Sequence, residues 1–268
     1  MGNVVQTNVA SLNAQRNLFR TNNNLNTTFQ RLSSGFRINS AKDDAAGLVI
    51  SNQLSAQIVS LNVAVRNAND GISIAQTAEG ALQEVTNILL RARELAMSSA
   101  SGQNSAAART ALNAEYVALD AEIDRIAAQT EFGGQALLST ATTFNIQVGQ
   151  DSGNTIAVAT VDIDALNLLG TITTSTLASA QLSVIDTFIA AVDANRGALG
   201  AAQNRLTSTI ANLQNVVENV AASRSRIRDT DFAAETANLA KNQILQQAGL
   251  SVLAQANAST QGALSLLQ

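Results

Sequence analysis

From Leu54 onward an apolar side chain returns at every seventh position: Leu54, Leu61, Ala68, Ala75, Leu82 and Leu89. Ile58, Val65 and Ile72 stand four residues after the first three. Such steps keep one stripe on one side of a helix, and a sustained seven-residue repeat asks for a left-handed supercoil against a partner. A longer series runs through Ile185, Val192, Leu199, Leu206, Leu213, Val220 and Ile227, with Ile189, Ile210 and Val217 at plus four. A shorter one joins Leu112, Leu119 and Ile126, with Tyr116 and Ile123 between them. The spacing predicts helices over about 44–99, 105–129 and 178–228. The 268 residues contain no proline, so these helices lack their strongest breaker. Gly71 and Gly80 weaken the first helix without ending it. At 1.5 Å per residue that helix is roughly 80 Å long, a rod rather than a globule. The short turn SGQNS (101–105) makes the second helix an antiparallel neighbour of the first.

The periodicity changes between the second and third helices. FGG (132–134) breaks the chain. Phe144, Ile146 and Val148 then alternate, as do Ile156 and Val158, with GQDSGN (149–154) between them. This predicts a small β-hairpin at about 141–164, and Val161 with Ile163 offer a third strand. The Thr-rich TITTST (171–176) reads as loop.

Both ends of the sequence carry helical arms of a different kind. The first 30 residues hold eleven Asn or Gln, which are poor to middling helix formers, yet Leu18, Leu25 and Leu32 recur by sevens, with Phe29 and Phe36 four after the last two. Packing must therefore decide whether this arm is helical. The C-terminal stretch QILQQAGLSVLAQANASTQGALSLLQ (243–268) has no charged side chain. Leu245, Ala248, Val252, Ala256, Ala263 and Leu267 form one helical stripe, and Leu250, Leu253, Leu264 and Leu266 lie off it. Apolar residues on several faces predict a helix surrounded on most sides. The expected fold is mainly α: a long antiparallel coiled-coil or helical-bundle rod with a small β-hairpin region, its N- and C-terminal arms pairing at one end. The expected domains are a discontinuous arm coiled coil, 1–42 with 229–268, and a helical rod domain, 43–228.

Composition narrows the function. Cys and His are absent, which removes disulfides, thiolates and imidazole chemistry, and neither a catalytic, a cofactor nor a metal site is expected. An enzyme is the poorer reading. The net charge is −4 with no basic block, so nucleic acid is not an expected partner. No uninterrupted run of 18 apolar residues suggests membrane insertion. The start, MGNVVQTNVASLNAQRNLFR, has neither a basic n-region nor an apolar h-region, so a cleaved signal peptide is not expected.

Five stretches carry a resemblance. TNVASLNAQRNL (7–18), RLSSGFRINSAKDDAAGLVISNQL (31–54) and NDGISIAQTAEGAL (69–82) resemble the N-terminal region of bacterial flagellin. SRIRDTDFAAE (225–235) and QILQQAGLSVLAQAN (243–257) resemble its C-terminal region. The resemblance implies a filament subunit for swimming motility, exported unfolded by the flagellar type III route and polymerised at the distal tip as its arms fold. It implies an extracellular location and, besides the chain itself, an export chaperone, a filament cap and hook–filament junction proteins as partners. Only about 40 residues join the two matching halves, so the outer domains of larger relatives are expected to be missing. The alternatives are a hook–filament junction protein and a secreted monomeric coiled-coil binding protein.

The polymerisation elements expected from the arms are Leu12, Leu18, Leu25, Phe29 and Leu32 with Leu245, Val252, Leu253, Leu264 and Leu267. The plainer reading is that these pack onto the bundle. LLRARELAM (89–97) resembles the flagellin segment bound by Toll-like receptor 5, with Arg91, Leu95 and, on the next helix, Glu115 at matching positions. Arg91 and Leu95, four apart, share a face and would present a donor fork beside an apolar knob. The plainer reading makes Arg91 a surface charge and Leu95 a packing residue. Asp43 or Asp44 suits the start of the long helix. SRIRDTD (225–231) reads as a solvated hinge, and some relatives place an acid where Arg228 stands. The Ser and Thr of 139–143 and 171–179 suit O-linked sugars as in some flagellins, or a plain polar loop. The zinc-protease motif of others is excluded without His.

Overall fold

The computed structural model describes residues 7–163 and 170–265, without the side chains of 260–265. Five helices account for most of them: α1 (Val9–Ser34), α2 (Ala45–Ala100), α3 (Ala106–Gln129), α4 (Ser175–Arg228) and α5 (Phe232–Ser265). Four short strands lie between α3 and α4: β1 (Glu131–Phe132), β2 (Gln135–Ala136), β3 (Thr143–Gln147) and β4 (Thr155–Ala159). The chain forms two compact units, one of Met1–Ala56 with Asn219–Gln268 and the other of Gln57–Glu218.

The 57–218 unit holds the main core. Ala68, Ala75, Leu82 and Leu89 of the α2 heptads are fully buried, as are Ile185, Val192, Leu199 and Leu206 of α4, each at 1% exposure or less. Polar ties fix the direction of packing. Arg93 meets Asp186 at 2.6 Å, Glu79 accepts from Gln203 at 2.8 Å, and the Ser175 hydroxyl donates to the Ala100 carbonyl at 2.7 Å. Partner numbers fall along α4 as they rise along α2, so the two helices are antiparallel. The same holds for α3, whose Arg109 reaches the Ser99 carbonyl while Glu115 meets Arg91. Tyr116, Ile123 and Ala127 turn inward from α3.

The β3–β4 hairpin forms where the alternation predicts it, and two features differ from expectation. Phe132-Gly133-Gly134 is not simply a break: Gly133 and Gly134 take φ of 59° and 79°, and pair β1 with β2 through a two-residue turn. β3 and β4 are antiparallel, from Thr143↔Ala159 to Gln147↔Thr155, and Ile156 and Val158 are buried. They rest on α2 at Gly71, where an added Cβ would come within 2.8 Å of Ile146. The expected third strand does not form. Beyond Ala159, Thr160 still donates to the Thr142 carbonyl, but Ile163 donates instead to Leu138, so no single neighbour offers a continuous ladder. Asp164 of the expected hairpin region lies outside the described residues. α4 also begins earlier than expected, at Ser175, because Thr174 caps it by accepting from the amide of Leu177.

Length and composition would let α2 and α4 cross a membrane, each with an 18-residue window of mean hydropathy 1.4 or 1.3. Only 17% and 22% of those two windows is buried within this chain, so the heptad core accounts for part of the apolar composition and the rest lies on the surface.

One carboxyl breaks the apolar rule on α3. Asp120 is 6% exposed, and burial, with Asp124 adding to it, raises its pKa. A carboxyl whose folded pKa lies above its unfolded value favours folding in its protonated form. Its contribution is therefore most favourable below the unfolded pKa of about 3.9 and worsens as pH climbs through the folded value. Asp120→Asn is expected to melt above the parent at pH 7, with the gap closing toward pH 4, as read by thermal unfolding across that range. A constant gap would mean that the Asp120 carboxyl does not titrate differently on folding.

Candidate assembly surface

The arms form the second unit's most distinctive feature. α1 starts at Asn8, whose side-chain oxygen accepts from the Ser11 amide, and ends at Gly35, left-handed at φ 74°, whose amide returns to the Arg31 carbonyl. α5 starts beside Asp231, which accepts from the amides of Ala233 and Ala234. The two helices run antiparallel along each other: Asn8 donates to the Ala256 carbonyl at 2.8 Å, Gln246 to Asn22 at 2.9 Å, and Arg31 lies 4.0 Å from Glu235.

The inward residues follow the heptad steps but not the expected composition. On α1 they are Ser11, Ala14, Leu18, Thr21, Leu25, Thr28 and Leu32; on α5, Glu235, Leu239, Asn242, Gln246, Gly249, Leu253 and Ala256. Of the stripe through Leu245, Ala248, Val252 and Ala256, Ala256 is buried, while Leu245, Ala248 and Val252 are exposed at the edge of the groove beside α1. The reason is steric. Leu18 comes within 3.3 Å of the point where a Cβ of Gly249 would stand, so small and polar residues permit an approach that a row of branched side chains would block.

The large apolar side chains point the other way. Leu12 is 50% exposed, Phe19 68% and Phe29 48%; on α5, Ile244 is 65%, Leu245 46%, Leu250 52% and Val252 58%. Of the residues expected to drive polymerisation, Leu12, Phe29, Leu245 and Val252 are thus outward, while Leu18, Leu25, Leu32 and Leu253 are half-buried in the seam. Leu267 and the side chain of Leu264 lie outside the described residues. Sequence reading missed Phe19 and Ile244; for Phe19 the signal was its place seven residues after Leu12. Between the helices, Leu18, Leu245, Gly249 and Val252 help to line a groove of about 380 Å³.

The breaks flanking the arms are joined. The Arg37 amide donates to the Arg228 carbonyl at 2.7 Å, Thr230 donates to Gly35 at 3.0 Å, and the Arg37 guanidinium reaches the Ile227 carbonyl at 2.6 Å. Arg228 stacks over Phe36, 4.2 Å from the ring centroid. SRIRDTD is therefore a packed clasp rather than only a solvated hinge, and an acid at Arg228 would lose the cation–π contact. At the next turn Asp44 caps α2 through the Gly47 amide. Asp43 accepts from the amide and hydroxyl of Ser40 and from the Asn39 amide, and these bonds hold its pKa below the usual value.

The 89–97 segment differs from expectation in one residue. Arg91 is exposed and bound to Glu115 at 2.8 Å and to Glu94 at 2.6 Å. Leu95 is not a surface knob: at 3% exposure it belongs to the core of the 57–218 unit, between α3 and α4. The exposed apolar neighbours are Leu90 and Met97. Among the described residues no group of three or more His, Cys, Asp or Glu side chains could hold a metal ion.

One unit of paired helices with large apolar side chains outward, and a second unit with a well-filled helical core, mark the class of structural subunits that associate. Residues 5–143 match the bacterial flagellin N-terminal helical region, and 182–267 the bacterial flagellin C-terminal helical region. Flagellin A of Vibrio cholerae serotype O1 is 39% identical, with 98% of this chain and 99% of that protein aligned. Flagellin D of the same species is 40% identical at the same coverage. The alignment with flagellin A runs over 375 positions against 268 residues here, so that relative carries additional segments. The crystal structure of Bacillus cereus flagellin superposes with a TM-score of 0.52 at 34% identity, covering 55% of this chain and 88% of that one. The chain belongs to the bacterial flagellin family. It is a structural subunit of the extracellular flagellar filament and polymerises with itself.

Proposed function

We propose that the subunit is exported unfolded and joins the filament's distal tip by folding its two arms against neighbours already in place. On this reading 1–42 with 229–268 form the inner tube and 43–228 the next shell. The observation that carries it is the outward apolar set on α1 and α5, which the isolated arm pair leaves in water. Leu12, Phe29, Leu245 and Val252 make the intersubunit contact, and Leu18, Leu25, Leu32 and Leu253 hold the pair together. A heterologous contact that does not close grows a filament, and ordering the arms only on contact couples folding to addition. An export chaperone would mask the same side chains before assembly, and cap and junction proteins would meet them at the filament's two ends. Recognition by Toll-like receptor 5 would use Arg91 and Glu115 on the surface, with Leu95 supporting that face from beneath.

Seeded assembly tests the reading. Purified chain is mixed with short filament fragments and followed by sedimentation, far-UV circular dichroism and negative-stain images, beside a chain lacking 245–268. Long filaments with a gain of helix, lost on truncation, are expected. An intact chain that stays monomeric at constant helix content, even with its own seeds, would favour the secreted monomeric coiled-coil protein.

A further inference from the structure

We infer that a polar ladder in the α1–α5 seam, centred on Asn22 and Gln246, sets the register of the two arms. Apolar heptads alone specify register poorly, because a slip of seven residues again places apolar against apolar. This seam is built against such a slip. Gln246 occupies one of three equivalent seam positions on α5, and the other two, seven residues to either side, are Leu239 and Leu253. In the observed register the Gln246 amide donates to Asn22 at 2.9 Å. A slip in either direction sets Asn22 against a leucine, and it sets Gln246 against Phe29 in one direction and against the exposed Gln15 in the other, so the part-buried amide pair is lost either way. A polar residue at a seam position whose heptad equivalents are leucines is the best-attested way for a coiled coil to fix alignment at a cost in stability.

Three further contacts agree on the same alignment. Asn8 meets the Ala256 carbonyl and Arg31 meets Glu235, near opposite ends of the pair. Leu18 fits against Gly249; a slip would set it against Asn242 or Ala256, where a side chain already stands. The consequence bears on assembly. Outward residues of the two helices present one fixed pattern only when the register is unique, and a helical lattice needs every subunit to present the same pattern. The register itself is internal to one chain, so it stands or falls independently of which outward residues touch the neighbour.

Disulfide trapping tests it in the full-length chain, which has no native cysteine to interfere. Three reporter pairs are made: Leu18→Cys with Gly249→Cys for the observed register, and Leu18→Cys with either Asn242→Cys or Ala256→Cys for the slips. Each is oxidised under filament-forming conditions in three backgrounds: parent, Asn22→Leu with Gln246→Leu, and the exchange Asn22→Gln with Gln246→Asn. The parent is expected to favour the first pair by about tenfold, the ratio set by leaving a part-buried amide unpaired. The double-leucine background should keep its helix content and trap all three pairs within a few-fold of one another. The exchange, which retains facing amides, should restore the preference. A double-leucine chain that still traps only the first pair would overturn the inference and assign register to the apolar and small residues. A parent that traps all three equally, or none, would overturn it as well.

Discussion

Val252→Asp is expected to abolish seeded filament growth while leaving the unfolding of the 57–218 unit unchanged. Val252 is 58% exposed on the outward side of α5. In the monomer an aspartate there stays hydrated, and substitutions of this kind move stability by roughly 0.5 kcal/mol or less. If a neighbouring subunit covers the position, the carboxylate must be desolvated without a partner, which costs several kcal/mol. Each 1.4 kcal/mol is about a tenfold loss of affinity at every subunit addition. Sedimentation of seeded mixtures gives the assembly arm, and thermal melting of the monomer the control. Growth at the parental rate would take Val252 out of the interface.

Leu95→Ala is expected to do the reverse, destabilising the 57–218 unit by about 2–5 kcal/mol, the usual cost of emptying a fully packed leucine site. Arg91→Ala, four residues away on the same helix, should leave stability nearly unchanged, because its pairs with Glu94 and Glu115 are open to water. Denaturant melts of the two variants separate the cases. The difference governs how receptor data would be read: loss of Toll-like receptor 5 signalling in Leu95→Ala would follow from a loosened core, whereas loss in Arg91→Ala would report the surface. Equal, small effects on stability would place Leu95 outside the core.

The long helices were legible because one physical rule dominates them. Apolar residues at sevens face a dry core, as Leu82 and Leu89 on α2 and Leu199 and Leu206 on α4 do. Leu95 escaped the same rule because α2 packs between two helices and buries a broader arc than one heptad stripe, taking in Val85, Ala92 and Leu95 as well. The arms inverted the rule. On α5 the stripe through Leu245 and Val252 stays exposed, whereas the seam is shared by Asn242, Gln246 and Gly249 with Leu239 and Leu253. Hydrophobic spacing identifies the face that seeks burial; it does not say whether the same chain or another copy covers it. The third strand failed for a different reason: alternation at Val161 and Ile163 marks a segment buried on alternate sides, but a strand also needs a neighbour's backbone, and Ile163 finds only the Leu138 carbonyl.

The pairing of α1 with α5 joins residues 224 and 248 positions apart. Contacts of such span are the last that a chain makes, because the entropy of closing the intervening loop comes before any reward. The α2–α3 hairpin asks for no such wait, since its partners are neighbours in sequence. A chain threaded from its N-terminal side through a narrow conduit would release α1 long before α5, with nothing of its own for the first arm to zip against. For a chain delivered that way, connectivity would act as a timer, withholding the sticky arm pair until nearly all of the molecule has arrived.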